Sequence, residues 1–114
     1  MGVAETVSTS KVKRGEPLER EIEAYLVERV EALGGMCLKL KDTGRVGFPD
    51  RTVIWPAYGF ARVHFVELKT IGGGYERGQE QYHKDLRKRN ATVFTLWTKT
   101  QIDGYISECA PVPF

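Results

Sequence analysis

The segment Val63-His-Phe-Val-Glu67-Leu-Lys69 joins an apolar, β-prone run to two charged residues at its end. Side chains of a strand alternate between the two faces of a sheet. Glu67 and Lys69 should therefore project side by side from the face that also carries Val63 and Phe65. The sequence predicts an acid–base pair at one end of a sheet face.

A second charged residue borders another apolar run, because Asp50 follows Pro49 and precedes Thr52-Val-Ile-Trp55. If the two runs pair as neighbouring strands, Asp50 can lie near Glu67, although the pattern does not reveal the register. Carboxylates beside a sheet are costly to bury unless a partner compensates them. Two carboxylates suit Mg²⁺ or Mn²⁺, which also bind waters and substrate phosphate. In the simpler alternative, Asp50 caps a turn and Glu67 forms a surface ion pair with Lys69.

Hydrophobic spacing and turn residues predict the element order α-β-β-β-α-β-α within an α/β fold. The predicted elements are a helix at 18–33, strands at 36–40, 51–55 and 62–70, a helix at 76–89, a strand at 91–97 and a short helix at 100–108. Three consecutive strands imply a meander, and the helix after them is a crossover that can place the fourth strand parallel to a neighbour. A mixed central sheet flanked by helices follows. The polar residues 1–15 predict a flexible arm ahead of one domain at 16–114.

Composition limits the function classes. The chain has 114 residues, of which 41% are hydrophobic and 28% charged, with no apolar run long enough for a membrane span. Its polar N-terminus lacks the apolar core of a signal peptide, so we expect a cytoplasmic location and reduced cysteines. Residues 36–99 carry 12 basic and 6 acidic side chains, a net charge of +6 around the predicted site. This excess suits a polyanion such as nucleic acid.

Three motifs in order resemble the VRR-NUC family of the PD-(D/E)XK nuclease superfamily. They are Gly44-Arg-Val-Gly-Phe-Pro-Asp50-Arg, then Val63-His-Phe-Val-Glu-Leu-Lys69, then Gln79-x-x-x-His83-x-x-Leu86. The resemblance implies a restriction-endonuclease-like fold and an Mg²⁺- or Mn²⁺-dependent endonuclease. Short members from phages and bacteria act as homodimers on branched DNA such as Holliday junctions. The resemblance therefore implies DNA as the partner and a bacterial or phage-infected cell as the setting.

The resemblance also assigns roles by position. Asp50 and Glu67 match the carboxylates that bind the metal, and Leu68 matches a position whose backbone carbonyl often completes the metal shell. Lys69 matches the catalytic lysine, which would orient or help to deprotonate an attacking water. Gln79 matches the glutamine on the following helix.

The family also has a glutamate on its first helix, and two residues compete for this position. At about 100° per residue, Glu19 lies roughly 60° from the centre of the apolar stripe of the helix, and Glu23 lies farther away. Glu19 also fits the E-x-x-I pattern of the family through Ile22. We therefore expect Glu19 at the edge of the site, as a catalytic and metal-binding residue, with Glu23 in reserve.

Two arginines near Asp50 are candidates for phosphate contacts, namely Arg45 in the glycine-containing loop and Arg51 on the next strand. A lone histidine makes a poor metal site, so His83 is assigned to packing or hydrogen bonding. Three alternatives stay open: a non-catalytic DNA-binding module, a flap or duplex endonuclease of restriction type, and a small interaction domain. Paired carboxylates argue against a pure DNA binder, because they repel phosphates in the absence of a cation.

Overall fold

The computed structural model describes residues 18–56 and 62–111. Seven elements follow in chain order: α1 (Glu19–Ala32), β1 (Met36–Leu38), β2 (Arg51–Trp55), β3 (Arg62–Leu68), α2 (Gln79–Lys88), β4 (Thr92–Leu96) and α3 (Lys99–Cys109). This order is the predicted one. The predicted arm at 1–15 and most of the predicted turn at 56–59 lie outside the described residues.

The four strands form one mixed sheet in the order β1-β2-β3-β4. β1, β2 and β3 pair antiparallel as the predicted meander. β4 pairs parallel to β3, because α2 crosses over between them. The α/β class and the crossover predicted from the sequence are both confirmed.

One face of the sheet packs against α1 and α3. Val66 and Leu68 of β3 belong to this core, and each apolar side chain of this size contributes roughly 1.5–3 kcal/mol when it is fully buried. The helices and the other strands supply Ile22, Leu26, Val30, Cys37, Val53, Trp55, Leu96, Ile102, Tyr105 and Ile106. Phe65 points to the opposite face and meets the ring of Phe48, which in turn meets Tyr82 of α2. The period-two alternation predicted for β3 is therefore present.

A buried polar contact ties α3 to the sheet. The indole Nε1 of Trp55 donates to the Tyr105 hydroxyl at 3.0 Å, and His64 Nδ1 lies 2.8 Å from the same oxygen. Burial raises the pKa of Tyr105 and also raises that of Cys37 to about 11. Both cysteines are free, and Cys37 is an unreactive core thiol at neutral pH.

Glycines set two element boundaries. Gly34 adopts a left-handed backbone (φ 86°) just after α1, as the sequence predicted for a helix end. The second boundary differs from the prediction, because α2 begins at Gln79 rather than Glu76. Gly78 is left-handed (φ 80°), so it cannot belong to the helix. None of the helices in the described ranges has both the length and the hydrophobicity required to cross a membrane.

Candidate active site

The register of β2 and β3 brings Asp50 to the site. Arg51 pairs with Val66, so the residue before Arg51 lies opposite the residue after Val66. Asp50 Oδ2 accepts a hydrogen bond from the Leu68 backbone N–H at 2.8 Å. The carboxyl of Asp50 is thus held at the end of β3, next to Glu67.

Glu67 is a carboxylate almost entirely removed from water, with 1% of its surface exposed. Its Oε2 accepts from Gln79 Nε2 at 2.7 Å and lies 3.3 Å from Lys69 Nζ. Its Oε1 has no hydrogen-bond partner in the described part of the chain. Burial raises the pKa of Glu67 from its ordinary value of 4.5 to about 8; the neighbouring Asp50 carboxyl adds to this increase and Lys69 opposes it. The negative charge of Glu67 is therefore poorly compensated by its neighbours.

Lys69 and Gln79 form the other half of the cluster. Lys69 is 5% exposed and donates from Nζ to Gln79 Oε1 at 2.5 Å. The same Gln79 oxygen accepts from the Glu76 backbone N–H at 2.7 Å, while the amide nitrogen donates to Glu67. Both polar atoms of the Gln79 amide thus have protein partners, and the amide links the lysine to the glutamate.

Close packing of the loop before Asp50 fixes the start of α2. A Cβ atom at Gly47 would lie 2.5 Å from the Gly78 carbonyl and 2.8 Å from the Gln79 nitrogen, so only glycine fits there. Gly47 also has a left-handed φ of 99°. The loop that leads into Asp50 therefore touches the backbone that carries Gln79, which couples the positions of these two residues.

The two glutamates proposed for the first helix have different surroundings. Glu19 is exposed at the start of α1, and its pKa is raised by partial burial and then by the charge of Asp50, while Lys69 opposes the increase. The charges of Asp50 and Lys69 therefore act on the Glu19 carboxyl. Glu23 instead accepts from Arg51 Nε at 2.7 Å and lies 3.7 Å from Lys39. The charge of Asp50 thus acts on Glu19, whereas the reserve residue Glu23 is held by Arg51 and Lys39.

The two arginines proposed to contact phosphate are both engaged within the protein. Arg51 donates to Glu23 and to the Cys37 carbonyl at 3.2 Å, and only 18% of its side chain is exposed. Arg45 pairs with Asp85 at 2.5 Å, but 41% of its side chain remains accessible. The arrangement leaves Arg45 better placed than Arg51 to meet a ligand from solvent.

Two residues near the cluster have surroundings that the sequence did not predict. His83, assigned to packing, is fully buried, and its Nε2 lies 3.8 Å from Glu67 Oε1. Tyr75 is 46% exposed, and its ring lies 5.5 Å from Lys69 Nζ. The four-residue spacing between Gln79 and His83 was the available signal for the histidine, because it places both on one face of a helix.

A divalent cation fits the chemistry of these donors. The cluster offers the oxygens of Asp50 and Glu67, with Glu19 at its edge, and hard cations prefer oxygen. The unpartnered, buried Oε1 of Glu67 and the raised pKa of this residue are the features that a positive charge would relieve. Within 18–56 and 62–111, no group of three or more His, Cys, Asp or Glu side chains is arranged to hold a metal ion. Water and backbone oxygen would therefore complete the shell, as is usual for Mg²⁺.

The chain is similar to known proteins of the nuclease class. No family model matches it. A 54-residue stretch is 41% identical to a protein provisionally named nuclease p44 from Acyrthosiphon pisum secondary endosymbiont phage 1. That match spans 47% of this chain and about half (55%) of the phage protein. A solved structure described as "VRR_NUC domain" superposes with a TM-score of 0.72 at 37% identity, and covers 80% of this chain and 96% of the other.

Proposed function

Because the chain belongs to the VRR-NUC family of nucleases, we propose that it is an Mg²⁺- or Mn²⁺-dependent DNA endonuclease that is specific for DNA structure. Branched DNA such as Holliday junctions is the proposed substrate. The observation that carries the proposal is the buried cluster in which Gln79 joins Glu67 to Lys69 beside Asp50. A buried carboxylate oxygen without a partner among the described residues is uncommon in an ion pair that serves only stability.

In the proposed site, Asp50 and Glu67 hold the cation, together with the Leu68 carbonyl and Glu19. The bound cation would supply Lewis-acid chemistry, by polarising a phosphate oxygen and acidifying water. Glu67 serves this role only as an anion, so cation binding must displace the proton that its raised pKa retains near neutral pH.

Lys69 is the proposed catalytic residue, because within residues 18–56 and 62–111 it supplies the only ammonium group paired with Glu67. Its Nζ would orient the attacking water and share the water's proton, or stabilise the charge that develops on the phosphate. Gln79 would hold the Lys69 ammonium in one orientation. The Oε1 of Gln79 accepts from Nζ, and the backbone N–H of Glu76 fixes the position of that oxygen. A fixed donor loses little free energy in reorganisation during reaction.

Three further proposals concern the surroundings of the site. Arg45 and Arg51 are the proposed phosphate contacts; for Arg51 this role requires that its pair with Glu23 opens. A homodimer is the proposed assembly, because a junction resolver must cut two strands and two-fold symmetry would supply two sites. The cytoplasm of a bacterial or phage-infected cell is the proposed location.

The proposal is tested by incubating the purified chain with four-way junction, flap, single-stranded and linear duplex DNA, each with Mg²⁺ or Mn²⁺. We expect the junction to be cut fastest and EDTA to abolish cleavage. Ca²⁺ should support binding without turnover. Equal cutting of plain duplex would replace the structure-specific interpretation with a restriction-type one, and binding without cleavage in any metal would favour the non-catalytic module.

Three variants make this assay specific to the cluster. Lys69→Ala and Asp50→Asn should abolish cleavage, while DNA binding and the fold persist. The matched control is Lys84→Ala, which removes an exposed lysine of α2 and should cut DNA at close to the wild-type rate. Cleavage at wild-type rates by either cluster variant would refute the assignment.

A further inference from the structure

His83 is buried in an unusual state for a polar side chain. It is 1% exposed, and neither Nδ1 nor Nε2 has a hydrogen-bond partner among the described residues. A buried polar group without a partner costs about 1–3 kcal/mol. Native proteins contain few such groups, and each calls for a physical explanation.

The carboxyl of Glu67, which lies opposite the His83 ring, explains this state. His83 Nε2 is 3.8 Å from Glu67 Oε1, which is the oxygen of that carboxylate without a partner. The other oxygen, Oε2, already accepts from Gln79 and contacts Lys69. A donor and an acceptor that both lack partners thus face each other. Their separation exceeds hydrogen-bond length by only about 0.8 Å.

The ring is in the right form to close this gap. An imidazole ring carries at least one N–H in each of its tautomers and protonation states, so His83 can offer a donor to Oε1. When Glu67 is ionised, the carboxylate beside Nε2 favours the tautomer with its proton on that nitrogen. Tyr75 packs edge to face against the ring, with centroids 5.5 Å apart, and restricts its movement.

We propose that His83 is the positioning residue for Glu67: its Nε2–H donates to Oε1 of the ionised carboxylate and fixes the orientation in which Glu67 holds the divalent cation. The inference rests on the proposed function in one respect, namely that Glu67 binds this cation. His83 itself touches neither the cation nor DNA in this role. Partners of metal ligands commonly set the affinity of a site in this way.

Two matched substitutions separate the donor from mere packing. The amide of His83→Gln can place an N–H near the position of Nε2, whereas the shorter His83→Asn can place one only near Nδ1. Isothermal titration of the full chain with Mn²⁺ alone should show affinity about 10- to 100-fold weaker for His83→Asn and within about threefold of wild type for His83→Gln. Saturating Mn²⁺ should restore cleavage by His83→Asn. Equal affinities in both variants, whether unchanged or equally reduced, would overturn the proposal.

A measurement on the unmodified protein decides the question even if a variant fails to fold. Long-range ¹H–¹⁵N spectra report which ring nitrogen carries the proton. With Mg²⁺ bound and Glu67 therefore ionised, we expect the Nε2–H form for His83. The signals of His64 are identified by their response to Tyr105→Phe, since Tyr105 contacts only that histidine ring. An Nδ1–H ring at His83 would overturn the inference.

The two possible failures are distinguishable. If the wild-type chain binds neither Mn²⁺ nor Mg²⁺, the proposed function fails. If the wild-type chain binds Mn²⁺ and Asp50→Asn does not, the proposed function survives, and only the Gln–Asn comparison and the tautomer bear on His83.

Discussion

Replacing Glu67 by glutamine should change how the stability of the metal-free protein depends on pH. The folded protein keeps a proton on Glu67 up to about pH 8, whereas an ordinary glutamate loses it near pH 4.5. Between these pH values, the folded state binds one proton more than the unfolded chain. Raising the pH through this window therefore destabilises the wild-type fold. Glu67→Gln has no proton to lose and keeps the shape of the side chain.

The size of the effect follows from the width of the window. Each pH unit within it removes about 1.4 kcal/mol from the free energy of unfolding. From pH 5.5 to 7.5 this is a few kcal/mol at most, or a decrease on the order of 10 °C in the melting midpoint for a domain of this size. His64 and His83 work against the decrease, because burial lowers their pKa values. The difference between wild type and Glu67→Gln cancels their contribution.

The assay is thermal unfolding in EDTA across that pH range, repeated with Mn²⁺. We expect the wild type to lose stability with rising pH and to recover it when Mn²⁺ binds the folded state. Glu67→Gln should be nearly independent of pH in the same range and indifferent to Mn²⁺. The control is Glu28→Gln, the same chemical change at an exposed position of α1, which should behave like wild type. Parallel pH curves for wild type and Glu67→Gln, or equal stabilisation of both by Mn²⁺, would refute the reasoning.

Three other predictions concern the site and its frame. Gly47→Ala should lower the free energy of unfolding by at least about 2 kcal/mol, because its Cβ would overlap a backbone carbonyl at a left-handed φ; urea titration beside Gly74→Ala, which has open space, tests this. Glu19→Gln should slow metal-dependent cleavage without loss of stability. Glu23→Gln should chiefly lower the free energy of unfolding, by up to about 1 kcal/mol, because its ion pairs are lost. The reverse pattern would exchange the roles of the two glutamates. Tyr105→Phe should cost about 2 kcal/mol in the same titration, since two buried polar groups lose their partner, and a neutral result would contradict the buried network.

The sequence contained enough information to predict the sheet, because its signals are local. Alternation along β3 predicted that Glu67 and Lys69 share a face, and Gly34 predicted the end of α1. The predicted start of α2, at Glu76, was wrong by three residues. In the sequence, the helical pattern extends back to Glu76. In the structure, the left-handed backbone of Gly78 keeps the residues before Gln79 out of the helix, and glycine permits this conformation without requiring it.

The site itself depended on contacts between distant segments. The angular position of Glu19 on α1 could be estimated from the helix period, but the pairing of Glu23 with Arg51 required the packing of α1 on the sheet. The motif pointed to Gln79, but the sequence did not show that its amide bridges Lys69 and Glu67. It depends on a loop crossing in which Gly47 meets the backbone of Gly78, 31 residues further along the chain, and no local rule specifies such a contact.

The charge of the cluster explains why the cation and DNA should bind together. Among the described residues, the charges of Asp50, Glu67 and Glu19 are opposed by the ammonium of Lys69, so the fully ionised cluster has a net negative charge and repels phosphate. The segment around it, residues 36–99, carries a net charge of +6 and attracts DNA from a distance. Without a cation, the basic segment attracts the DNA backbone while the acidic cluster repels it at the point of closest approach. A divalent ion would neutralise the cluster, so in the proposed site the carboxylates that exclude the phosphate would hold the cation that binds it beside Lys69.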